Sequence, residues 1–130
     1  MASELRVNTL KDASGNNSVA TSVVANGSAK SWWQVDGTST AHINDSFNTS
    51  GLTDHGTGDY TITYTDSMDN TTYSAVGACG RDGGSYAGGD CEIPGAATPT
   101  ASAIRFYTYN YDASLADVVH ISGQICGDLA

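Results

Sequence analysis

The 130-residue chain predicts an all-β fold: an antiparallel β-sandwich of about seven strands, jelly-roll-like, behind an extended N-terminal arm. Three observations carry this. Residues Asp59 to Thr65 alternate strictly, with Tyr60, Ile62 and Tyr64 on one face and Asp59, Thr61, Thr63 and Thr65 on the other. That is the period of a half-buried strand, written in residues that suit a pleated sheet. Turn residues interrupt the chain at nearly regular intervals, and no segment shows a helical period of 3.6. A chain of this length builds one domain, and two sheets packed face to face are the way such strands bury their apolar sides.

Residues 1–28 contain few large apolar side chains: Leu5, Val7, Leu10, Val19, Val23 and Val24. Leu5 and Val7 alternate with Arg6 and Asn8, which suits a short strand, and Lys11 to Ser18 is rich in turn residues. So few apolar groups do not offset the entropy of ordering the segment. The expectation is an arm that docks on a neighbouring subunit or an attachment surface through Leu5, Val7 and Leu10. A frayed terminus is the alternative.

Residues 29–130 form the sandwich. Ala29 to Val35 is a strand with Trp33 and Val35 on one face and Trp32 and Gln34 on the other, closed by an Asp36-Gly37 turn. Ala41 to Phe47 alternates next. Leu52-Thr53-Asp54 then pairs with the Tyr60 strand across His55-Gly56-Thr57-Gly58, whose glycines supply positive φ. Asp66 to Asn70 is a polar turn around Met68. Thr72 to Cys79 is a strand in which Tyr73, Ala75, Gly77 and Cys79 oppose Ser74, Val76 and Ala78. Residues 80–101 form a long glycine-rich loop with both prolines of the chain, and loops of that length are usually functional or mobile. Ala103 to Tyr111 resumes strand character, and Val118 to Ile125 closes the sheet.

The composition limits the possible partners. A net charge of −9 argues against nucleic acid, which needs a basic footprint, and against anionic membranes. No stretch is long and apolar enough to span a bilayer, and the first residues lack the apolar run of a secretory signal. No enzyme signature is present. Gly-x-Ser-x-Gly is absent, and the glycines around Ser85 lack the Lys-Ser/Thr of a phosphate-binding loop. No cofactor is expected. Asp66 with Asp69, and Asp82 with Asp90, have the oxygens calcium prefers, but aspartate is also the ordinary turn residue, which is the favoured reading. His42, His55 and His120 fall on different elements. One histidine per chain on a threefold axis would make a metal site, although a lone strand histidine is more often packed or solvated.

Two further groups of residues stand out. Cys79 and Cys91 flank the glycine-rich loop and would close it as a disulfide; three buried thiols, counting Cys126, is the reading a reducing cytosol favours. Tyr107, Tyr109 and Tyr111 share one face of a strand, as either a recognition row or the half-buried rim of the sandwich. With Trp32 and Trp33 they give a small domain extra aromatic surface, which predicts a homotrimer that buries it.

The stretch Ser-Phe-Asn-Thr-Ser-Gly-Leu-Thr-Asp-His-Gly-Thr-Gly-Asp-Tyr-Thr-Ile, from Ser46 to Ile62, resembles a module of tail-fibre-like and other structural proteins of bacteriophages, notably marine and cyanobacterial ones. Asn26-Gly-Ser-Ala-Lys-Ser-Trp32, Asp117 to Asp128 and the opening Met1 to Leu10 resemble other parts of the same pattern; Gly80 to Gly95 does not. The resemblance implies a virion protein made in the host cytoplasm. Its two forms are a trimeric decoration (cement) protein held on the major capsid protein by the arm, or a short-fibre or tail-fibre module that recognises a host cell-surface glycan. In the decoration form, the loop bearing Arg81, Asp82, Tyr86 and Asp90 would sit at the exposed end. The absence of a shaft-forming repeat favours decoration.

Overall fold

The computed structural model describes residues 5–80, 90–95 and 98–130. Two four-stranded antiparallel sheets make the sandwich. The first runs in the order β4 (His42–Phe47), β3 (Ala29–Asp36), β10 (His120–Cys126) and β7 (Ser74–Gly80). The second runs β5 (Thr49–Gly56), β6 (Asp59–Tyr64), β9 (Ala103–Tyr109) and β8 (Asp90–Glu92). The first and last strands of the sandwich, β3 and β10, lie side by side, as chain ends do in a jelly roll, whereas β3–β4 and β5–β6 are plain hairpins within one sheet.

The alternation seen in the sequence sets which side chains enter the core. β6 buries Tyr60, Ile62 and Tyr64; β3 buries Trp33 and Val35; β9 buries Ile104 and Phe106; β10 buries Ile121 and Ile125. Met68 and Val118, from the connections, complete the core. Each large apolar side chain removed from water contributes about 1.5–3 kcal/mol. Phe106 sits between Trp33 and Tyr60, with ring centroids 6.0 Å and 5.7 Å away. Trp33 lies flat over the backbone of its cross-strand partner Gly123, where an added Cβ would come within 2.5 Å of Trp33 Cε2.

The β5–β6 turn needs glycine. Gly58 has φ +65°, and a Cβ there would stand 2.5 Å from the Thr108 carbonyl oxygen. Its N–H donates to Asp117 Oδ1 at 2.8 Å, and the Tyr60 hydroxyl donates to the same oxygen at 2.6 Å. One carboxylate from the β9–β10 connection therefore holds the start of β6.

Two features differ from the sequence expectation. The arm is not simply extended: β1 (Thr9–Lys11) and β2 (Ser18–Ala20) form a small hairpin, followed by helix α1 (Thr21–Gly27). The hairpin turn is organised by Asp12, whose carboxylate accepts from Ser14 Oγ (3.1 Å), the Asn16 N–H (3.0 Å) and Asn17 Nδ2 (2.8 Å). Two helical turns are too short to display a period, and α1 buries no residue, so no apolar stripe marks it in the sequence. The second difference is β8, an eighth sandwich strand inside the segment expected to be loop. Its three residues pair with β9 as Asp90↔Tyr109, Cys91↔Thr108 and Glu92↔Tyr107, too short a run to alternate visibly.

Candidate interaction surface

Each sheet turns one face to solvent, and the two faces differ in chemistry. Directly paired residues share a face, so the register gives the outer rows of the first sheet. One row reads Phe47, Trp32, Gln124, Val76; the next reads Asp45, Gln34, Ser122, Ala78. Phe47 is 52% exposed, Val76 56% and Trp32 37%. Trp32 and Val76, with the backbone at Gly77 and Gly123, bound an open hollow of about 520 Å³ with an apolar floor. At its rim Gln34 Nε2 lies 3.3 Å from His120 Nδ1.

The outer face of the second sheet is polar. Arg105 on β9 donates to Asp59 on β6 through Nε (2.7 Å) and Nη2, a two-pronged ion pair. The guanidinium also sits 5.6 Å from the centre of the Tyr107 ring, and Tyr109 packs edge-on against Tyr107. The Tyr109 hydroxyl donates to Glu92 Oε1 at 2.5 Å, and that bond to a carboxylate pushes the phenol pKa up to about 12. These polar tips are already engaged within the chain.

The residues expected to make one aromatic surface are therefore in four places. Trp32 is on the first sheet, and Tyr107 and Tyr109 are on the second. Trp33 is corrected to a core residue: it is 5% exposed, because its strand position points inward with Val35. Tyr111 lies beyond the end of β9, 63% exposed, so it leaves the tyrosine row. The sequence reading missed Phe47 and Val76. Their signal was an apolar residue on the otherwise polar side of an alternating strand, as Val76 opposite Ala75 and Gly77.

The arm offers a second apolar surface. Leu5, Val7, Leu10, Val19, Val23 and Val24 are all exposed, and no residue from 5 to 28 is buried. Of the loop residues, Asp90 is exposed at the head of β8, whereas Arg81, Asp82 and Tyr86 lie outside the described residues. Cys79 on β7 and Cys91 on β8 come together across the two sheets as thiols. The Cys79 S–H donates to the Asp90 carbonyl oxygen at 3.6 Å, and the pairing of the two thiols holds Cys91 below its ordinary range and pushes Cys79 up. Cys126 stands apart at the far end of β10.

His42 and His120 are exposed on β4 and β10, and His55 Nε2 lies 2.9 Å from Thr61 Oγ1 on β6. Among the described residues no three His, Cys, Asp or Glu side chains converge to hold a metal ion. Asp54 accepts from the Gly56 N–H at 2.9 Å, an ordinary turn contact. Comparison with protein-family models, with curated proteins and with solved structures gives no match for this chain.

Proposed function

We propose that the chain is a non-enzymatic structural protein of a phage virion, a homotrimeric decoration protein seated on the major capsid protein. The observation that carries the assembly role is the arm: six exposed apolar side chains on a segment with no buried residue, ahead of a sandwich whose core contains no arm residue. Apolar side chains displayed in this way mark a contact surface. The virion and the capsid enter through the resemblance of the Ser46–Ile62 stretch and its flanks. The acidic chain, at −9, suits a soluble surface component better than a partner of the packaged genome.

The experiment is to mix the purified chain with particles assembled without it, pellet the particles and count the bound chains. Saturation in proportion to the capsid lattice sites is expected. Binding at a few sites per particle would move the protein to the tail, and no binding would overturn the reading. The Trp32 hollow favours a second reading, recognition of a neutral host glycan, because an exposed indole ringed by Gln34, Gln124 and Ser122 can stack on a sugar ring and hydrogen-bond its hydroxyls. Glycan-array binding that disappears in Trp32→Ala would support that reading.

A further inference from the structure

Each sheet of a sandwich ends in two edge strands, and an unprotected edge recruits other strands. Three of the four edges here carry protection. β4 bears Asp45, and its pairing with β3 shifts register between Gln34 and Val35. β5 bears Asp54 and shifts register twice against β6. β8 has only three residues, two of them Asp90 and Glu92. β7 differs. Its seven residues, Ser-Ala-Val-Gly-Ala-Cys-Gly, include no charge and no proline, and they pair with β10 in unbroken register from Ser74 to Gly80.

The core is also open beside β7. A cleft of about 150 Å³ lies between the sheets, lined by Trp33, Ala75, Gly77, Cys91, Ile93 and Phe106 among others. A space of this size takes a benzene-sized apolar group. Trp33, one of its walls, carries the only buried side-chain donor without a partner among the described residues, Nε1–H.

We infer that the β7 edge is the docking site for the N-terminal arm of a second copy of this chain, which adds residues 5–8 as a strand and places Leu5 and Val7 over the cleft. Leu5 and Val7 are two residues apart, so in a strand both point to one face, about 7 Å from each other. Both are exposed in the single chain, Leu5 at 79%, and both belong to a segment outside every regular element. A strand added along β7 would satisfy its outward backbone groups and bury the two side chains together, the mode in which backbone bonds give affinity and alternate side chains give specificity. This inference rests on the homo-oligomeric part of the proposed function and names the contact that builds it.

The test uses the full chain and its Leu5→Asp/Val7→Asp variant. Light scattering gives the mass, and hydrogen exchange reports the amides of Ser74–Gly80. The expected result is an oligomer whose β7 amides are strongly protected, with mass falling to one chain and β7 exchange rising at least tenfold in the variant while the β10 amides stay protected. A synthetic peptide of residues 5–11 is expected to restore β7 protection to the variant, and the same peptide with both aspartates is not. Protection of β7 that survives the double substitution would assign the edge to another part of the chain and overturn the inference. So would an oligomer that persists in the variant. A monomer whose β7 protection still depends on Leu5 and Val7 would place the chain's own arm there and overturn the choice of a second copy. Particle binding is read separately, so a chain that decorates particles but is monomeric in solution would fail this inference without failing the virion reading.

Discussion

The Tyr60 hydroxyl donates to Asp117 at 2.6 Å from the base of the core. Tyr60 belongs to β6, and Asp117 to the connection between β9 and β10, 57 residues later. The same carboxylate oxygen receives the Gly58 N–H, so the β5–β6 turn and the start of β6 share one anchor from the β9–β10 connection. Burial and the neighbouring Asp117 carboxylate both push the Tyr60 phenol far above its ordinary range, so it keeps its proton as a donor at neutral pH. Tyr60→Phe keeps the ring against Phe106 and removes this bond together with the hydroxyl's 3.1 Å contact to the Gly37 carbonyl oxygen. Urea denaturation is expected to show a loss of about 1.5–3 kcal/mol, the range for a hydrogen bond to a charged group. A neutral result would mean that water replaces the hydroxyl at no cost.

A second prediction uses two glycines as a matched pair. Gly123 lies under the Trp33 ring, whereas nothing comes within 4 Å of a Cβ added at Gly51. Gly123→Ala is expected to cost about 1–3 kcal/mol through forced repacking. Gly51→Ala is expected to stay near zero. Equal midpoints in thermal or chemical denaturation would contradict the packing of Trp33 described above.

The Asp59–Arg105 pair sets a pH dependence. The Arg105 guanidinium, by hydrogen bonding and by charge, holds the Asp59 carboxyl below its ordinary range against a smaller opposing effect of burial. A depressed folded-state pKa means that the stabilisation is fully present above the unfolded value of about 3.9 and is lost as pH falls through the folded value. Arg105 is 38% exposed, so solvent screening limits the contribution to about 1 kcal/mol or less. Asp59→Asn should therefore be slightly less stable than the parent at pH 7, with the difference closing in strong acid. A difference that widened on acidification would reverse the assignment.

The paired thiols predict a redox response. With glutathione disulfide as oxidant, Cys79 and Cys91 pass two electrons to it, forming one protein disulfide and releasing two glutathione thiols. Free protein thiols should fall from three to one. Cys126 is five β7 positions away from Cys79 in register, roughly 17 Å, beyond bridging distance. Closing a loop of this length constrains the unfolded chain by about 3 kcal/mol, so the oxidised protein should resist urea better. Titration of free thiols, with peptide mapping, checks both the count and the pairing.

Much of this molecule is legible from residue alternation, and the reason is physical. Tyr60, Ile62 and Tyr64 must face inward because a two-residue period offers them only one common side, and Trp33 with Val35 obeys the same rule. Residue alternation cannot tell which sheet a strand joins. Trp32 and Tyr107 both point outward, yet only the strand order places them on opposite faces of the sandwich. The β7 edge, unpaired among the described residues, was likewise hidden, because an edge is defined by the strand order and not by a strand's own residues. The meeting of Cys79 with Cys91 was legible as a possibility from the loop they flank, and β8 explains how it arises: three residues returning along β9 bring Cys91 to the margin of β7.

The position of β10 bears on the history of each molecule. β10, which follows the other strands of the sandwich in chain order, is an inner one, flanked by β3 and β7, and it supplies Ile121 and Ile125 to the core. Until it emerges, β3 and β7 have no common neighbour, so the first sheet waits on β10. Nascent chains would expose Trp33, Val35 and the β7 edge throughout that interval, and the long sequence separation of the β3–β10 pairing makes the closing step slow. Crowded synthesis on one message would then bring unfinished neighbours within reach of each other, making translation rate a determinant of how much usable protein a cell accumulates.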